Sequence, residues 1–177
     1  SLWFAPGDLK RYAGTEDRLH GIYVPAWTYD CETTTDYDGE RGDDYWETEH
    51  YTATENCRTV RRTRQVRKTR WHSVSGTVRD AFDDVLVLAS RSLPKEKAAA
   101  LEPWDLPALV PYADEYLSGF RAETYQVTLE EGFEQAKGVM QGTIDATIRS
   151  DISGDHQRIH SKRTRYDDIA FKHMVLL

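Results

Sequence analysis

The sequence predicts an α+β domain: an antiparallel sheet of five to seven strands, with a long helix of the C-terminal half packed on one face. Three observations predict it. An acidic segment, 36–49, is followed closely by a basic one, 58–70. β-branched and aromatic residues recur in short runs along most of the chain. One capped, amphipathic helix stands over 128–150, and its single apolar stripe must be buried against another layer.

The two charged segments form the first element pair. Residues 58–70 carry seven cationic side chains and no anion. Between them, Glu55-Asn56-Cys57-Arg58 suits a tight turn, because Asn tolerates the left-handed backbone of a two-residue hairpin loop. With Asn56 and Cys57 at the tip, Glu55 faces Arg58, Tyr51 faces Arg62 and Glu49 faces Arg64. Further out, Trp46 faces Arg67, Tyr45 faces Lys68 and Asp43 faces Arg70. Each such cross-strand ion or cation–π pair is worth a few tenths to about 1 kcal/mol. The basic strand is thus expected to be neutralised by its own partner. The competing reading makes Arg61, Arg62, Arg64, Arg67, Lys68 and Arg70 a stripe for phosphates.

The other elements follow in order. Residues 7–13 suit a short helix stopped by Gly14. From Gly21 to Tyr37 the pattern is β, with Pro25 pointing to an edge or a bulge. Gly39 and Gly42 read as a turn before the hairpin. Ser75-Gly76 reads as a break, and Asp83 to Ser90 as a buried strand, since its apolar run is continuous. Residues 94–101 suit a short helix, 102–107 a connector held by two prolines, 106–112 a further turn of helix and 119–127 a strand. Thr128-Leu129-Glu130-Glu131 has the form of a capping box. Leu129, Phe133, Ala136, Met140, Ile144 and Ile148 then recur at steps of three or four, until Gly154 closes the helix. Residues 157–166 and 168–177 read as two strands around Asp167-Asp168.

At 177 residues the chain fits one domain, and its mean hydropathy of −0.69 is low. Ten Tyr and five Trp argue against disorder. The net charge of −7 disfavours nucleic acid and anionic membrane surfaces as partners. Cys31 and Cys57 make no disulfide framework, and a reducing, cytoplasmic compartment is the default. No run of 18 apolar residues is present. The chain starts at Ser1 and stops on Met174-Val175-Leu176-Leu177, from which we expect an excised piece of a longer protein whose apolar last strand lacks its next partner.

Phosphate-binding loops, Gly-x-Gly-x-x-Gly and the Gly-x-Ser-x-Gly elbow are all absent, so no catalytic motif is legible and a non-catalytic role is expected. His156 and His160 have helical metal-ligand spacing but follow Gly154 in a strand-like segment. The better constellation is Trp71 and His72 with Asp80, Asp83 and Asp84: a histidine near carboxylates can serve acid–base chemistry or ligate a metal. The plainer reading is that the aspartates solvate a turn. Trp104, Tyr112, Tyr116 and Phe120 read as an aromatic core cluster.

Three segments, Gly21–Asp30, Phe82–Leu93 and Glu102–Leu106 running on through Pro111-Tyr112 to Tyr116–Glu123 and Tyr125, resemble a bacterial family. Its members have zinc ribbons before this region and predicted membrane-spanning segments after it, and often carry the label "primosomal protein N-prime (replication factor Y), superfamily II helicase". The resemblance covers nearly the whole chain. It implies a middle domain of a membrane-tethered protein, with zinc held only in the preceding part and no cofactor here. It supplies no catalytic residues. The helicase label conflicts with the residues, because a motor needs a phosphate loop and two nucleotide-binding lobes. The family's Asn-Gly hairpin tip stands here as Asn56-Cys57. A protein partner or self-association is the expected interaction; nucleic acid is the disfavoured alternative.

Overall fold

Charge sorts the strands. A computed structural model describes residues 21–55, 58–92, 109–111, 113, 115 and 120–176. Among these, the elements are β1 (Ile22–Glu55), β2 (Arg58–Leu88), β3 (Arg121–Ala122), the helix α1 (Leu129–Ile152) and β4 (His156–Leu176). β1 pairs with β2, β3 and β4. It carries Asp30, Glu32, Asp36, Asp38, Glu40, Asp43, Asp44, Glu47 and Glu49. Its long neighbours are basic, β2 through Arg58 to Arg70 and β4 through Arg158, Lys162, Arg163 and Arg165. Opposite charges across a sheet attract and like charges repel, so this order is the one the side chains favour.

The class α+β holds. The sheet of the described residues has four strands rather than five to seven, and it is mixed: β3 pairs with β1 in parallel, Ile22 opposite Arg121 and Tyr23 opposite Ala122. Three expected breaks are strand instead. β1 runs through Gly39 and Gly42, and β2 through Ser75-Gly76. These glycines mark close approach rather than turning. A Cβ on Gly39 would run into the Arg158 carbonyl, one on Gly42 would meet Trp71 and the Cβ of His156, and one on Gly76 would meet the Tyr37 ring. Nor do residues 157–177 split into two strands. β4 is continuous, with Asp168 at φ 52°. Asp84 in β2 has φ 53°. Each is the second residue of an Asp-Asp pair between an aromatic and a β-branched residue, and Asp tolerates the left-handed backbone that a bulge requires. Of the 119–127 strand, only the two residues of β3 form. The expected elements at 7–13, 94–101 and 102–107, the turn tip Asn56-Cys57, and Trp104, Tyr112 and Tyr116 lie outside the described residues.

The described residues divide into two compact units: those up to 29, from 85 to 136 and from 171 on form the first, and those from 30 to 84 and from 137 to 170 the second. In the first, Trp27 is buried and donates its indole N–H to the Val127 carbonyl at 3.0 Å. Tyr125, Phe171 and His173 surround it, with ring centroids 4.6, 6.3 and 5.1 Å away. The capping box forms as the sequence requires, Glu131 N–H to Thr128 Oγ1 and Thr128 N–H back to Glu131. The Tyr29 hydroxyl, donating to the Leu129 carbonyl at 2.8 Å, is pushed up to about 12 by burial and by Glu130.

In the second unit β1 alternates strictly. Cys31, Thr33, Thr35 and Tyr37 are buried, while Glu32, Asp36 and Asp38 are exposed. The buried row lies against the helix residues Met140, Ile144, Ile148 and Ile152. Contacts include Cys31 Sγ to Met140 Sδ at 3.7 Å and the Tyr37 hydroxyl to Asp151 at 2.5 Å. Burial, then Asp30, pushes the Cys31 thiol up, which disfavours the reactive thiolate. Two helix glycines have no such partner: a Cβ on Gly138 or Gly142 meets nothing within 4 Å. Gly138→Ala and Gly142→Ala are each expected to stabilise the protein by about 1 kcal/mol through helix propensity and the stiffer unfolded chain, read as a rise in the urea midpoint at constant slope.

Candidate functional site

Beyond Asp44 and its β4 neighbour His156, only β1 and β2 continue among the described residues, as a two-stranded ribbon. Its side chains are mostly exposed on both faces. A bare ribbon of this kind is marginal unless side-chain pairs hold it. Here they do. Thr69 Oγ1 donates to Asp44 at 2.6 Å, Gln65 to Thr48 at 2.9 Å, and Arg64 to Glu49 at 2.9 and 3.2 Å. All three share the register read from the sequence, and Thr77 with Asp36 continues it at 2.6 Å. The longest cations lean one step aside to diagonal neighbours, which long side chains reach. Arg67 turns from Trp46 to Asp44, and Lys68 lies between Glu47 and Glu49. Arg70 covers Tyr45 and Arg64 covers Tyr51, with centroid distances of 4.9 and 5.8 Å. Asp43 pairs with Arg41 rather than Arg70. The Glu55–Arg58 pair involves a side chain outside the described set.

Pleating separates two ribbon faces. One carries Glu47, Glu49, Arg64 and Lys68 and is laced by ion pairs. The other carries Asp44, Trp46, Thr48 and His50 of β1 with Arg61, Thr63, Gln65 and Arg67 of β2. Its charges are Asp44 and Arg67, which pair with each other, and Arg61; its Trp46 is 68% exposed. An indole held in water beside an arginine is the composition of an interface anchor.

Asp44 locks the ribbon root. Its carboxylate accepts from Thr69, Arg67 and His156, and its own N–H donates to Asp155 at 2.8 Å. The Thr69 hydroxyl first, then Arg67 and His156, hold its carboxyl down at about 2. A depressed carboxylate stabilises the fold fully above its unfolded value and ceases to do so as pH falls through the folded one. Asp44→Asn is therefore expected to lower stability at neutral pH and to flatten the loss between about pH 4 and about 2, measured by urea unfolding at several pH values. Beside Asp44, Arg158 stacks on Trp71 at 3.6 Å and His160 lies 3.4 Å from Glu40. The two histidines therefore meet different carboxylates.

The residues Trp71, His72, Asp80, Asp83 and Asp84 do not form one site. Trp71 lies in the stack just described, and His72 is exposed. Because β2 does not break at Ser75-Gly76, eleven strand steps of about 3.3 Å carry Asp83 away from His72. Asp80 faces the helix, with one carboxylate oxygen accepting from Thr147 at 2.6 Å and the other buried without a partner. Asp83 and Asp84 instead join Asp30, which sequence reasoning missed; oxygens of the three lie within 4.8 Å of one another. Oxygen-only donors suit a hard cation such as Mg²⁺ or Ca²⁺. The geometry also has a local purpose, since Asp30 Oδ1 accepts the Asp84 N–H at 2.7 Å and closes the bulge. The signal for Asp30 was the alternation of β1, which sets it on the face opposite Tyr29 and Cys31. A shallow polar cavity of about 490 Å³ is lined by Asp36, Asp38, Ser75, Thr77, Ser161 and Arg163. No helix of the described residues is long and apolar enough to cross a membrane.

No family model matches the chain, and no solved structure matches it. It is similar to the protein YdjG of Bacillus subtilis (strain 168), described as uncharacterized, with 30% identity over 148 residues. That match covers 77% of this chain and 36% of YdjG, so the chain spans about a third of its relative's length.

Proposed function

We propose that the chain is a non-catalytic binding domain of a membrane-tethered bacterial protein, facing the cytoplasm, and that it engages a protein partner through the β1–β2 ribbon. The observation that carries this reading is the ribbon's asymmetry. One face is laced by the ion pairs of Glu47 and Glu49 with Arg64 and Lys68, while the other presents Trp46, 68% exposed, among Thr48, Gln65 and Arg67, whose charge Asp44 takes up. The zinc ribbons and the anchor belong to the parts of the longer protein implied by the family resemblance.

The second reading, a nucleic-acid accessory domain, rests on the basic stripe. Arg64, Arg67 and Lys68 each meet a β1 carboxylate, which argues against it. The two readings separate by salt dependence, since phosphate contacts by several cations weaken steeply as salt rises. We expect no shift of labelled single- or double-stranded DNA at submicromolar protein in about 150 mM salt, and no DNA-stimulated ATP hydrolysis. A DNA shift under those conditions would overturn the protein-partner reading, and ATPase activity the non-catalytic one.

A further inference from the structure

We propose that the outward edge of β2, between Arg58 and Arg70, is a docking edge for an acidic, extended segment of a protein partner, which adds to the sheet as a further strand. This rests on the binding-domain reading and names the chemistry of the partner. Among the described residues β2 pairs only with β1, so its far side presents a row of backbone N–H and C=O groups with no strand against it. Such an edge is a template for strand addition.

Charge selects what can be added. The edge carries Arg58, Arg61, Arg62, Arg64, Arg67, Lys68 and Arg70 and no anion. A second copy of β2 laid along it would set cation against cation, which a sheet disfavours. An acidic strand is favoured, and the molecule already contains the precedent, because β1 is such a strand on the other side. The in-chain pairs do not exhaust these cations. Arg64 and Arg67 remain 63% and 58% exposed while bonded, and Lys68 already bridges two carboxylates, Glu47 and Glu49. Arg has five N–H donors and Lys three, so Arg64 and Arg67 can each take a second carboxylate and Lys68 a third. Arg61 is exposed and has no ion pair among the described residues. A polyphosphate would use the same cations but not the backbone row.

The test uses labelled peptides and fluorescence anisotropy with the whole 177-residue chain. The probe is a synthetic peptide of the acidic sequence 36–49. One control replaces every Asp and Glu by Asn and Gln; a second keeps the charges but carries N-methyl groups on alternate backbone nitrogens. We expect saturable binding of the probe, at least tenfold weaker binding of both controls, about tenfold weakening by Arg61→Glu, and little change with Arg61→Lys. Equal binding of the N-methylated peptide would overturn strand addition and leave charge attraction alone. Tighter binding of a single-stranded oligonucleotide than of the peptide would overturn the acidic-peptide partner in favour of nucleic acid. Absence of peptide binding would also overturn the docking edge; the binding-domain reading falls separately, on DNA binding or ATPase activity.

Discussion

Trp27→Ala is expected to lower the free energy of unfolding by about 4 kcal/mol, within the range for deleting a buried aromatic side chain. Only 9% of Trp27 is exposed, and its loss removes three things together. The ring contacts with Tyr125, Phe171 and His173 go, and so does most of the apolar area they cover. The Val127 carbonyl loses its indole donor just before the capping box of α1. Trp27→Phe keeps most of the packing and drops the hydrogen bond, so we expect a loss of about 1–2 kcal/mol for it. Urea unfolding followed by far-ultraviolet circular dichroism measures both. A Trp27→Ala loss below about 1 kcal/mol would mean that this cluster is not a core.

What the sequence disclosed and what it hid divide along one physical line. The helix was legible because its signals are local: Thr128 and Glu131 cap each other three residues apart, and the stripe through Ile148 needs only a 3.6-residue period. The ribbon register was legible because charge labels both strands, and Glu49 meets Arg64 as read. Strand ends were not legible. Gly39, Gly42 and Gly76 look like breaks in isolation, yet each is small because a residue distant in sequence lies where a Cβ would go. The bulges at Asp84 and Asp168 mislead the same way, turning the backbone within a strand without ending it. Of the candidate cluster, Asp83 and Asp84 came together, but with Asp30 rather than His72. That pairing depends on β2 running unbroken through Gly76, which no local pattern announces.

Gly39→Val tests that account, and its expected effect is nearly as large. The position lies in mid-strand in β1, where a β-branched residue would ordinarily be favoured over glycine. Here the Cβ would run into the Arg158 carbonyl oxygen of β4 and approach Ile152 Cδ1 of α1 at 3.0 Å. A carbonyl belongs to a hydrogen-bonded strand and cannot swing aside as a lysine tip can. The two branches of valine therefore have to be accommodated by moving β4 or the end of α1. Overpacking of this kind costs typically 1–3 kcal/mol and more where backbone must shift, so we expect about 3 kcal/mol or above. The displaced β4 segment also carries His156 to Asp44, and Arg158 and His160 to Glu40. The variant should accordingly lose hydrogen-exchange protection around Glu40 to Asp44 before the rest of β1 does. Gly138→Ala in the same unit is the matched control: it also adds a Cβ to a glycine, but into open space, and should move stability the other way. If valine at 39 stabilised the protein as strand propensity alone dictates, β4 would not lie against β1 at that point, and the acidic strand would lack the second of its two basic neighbours.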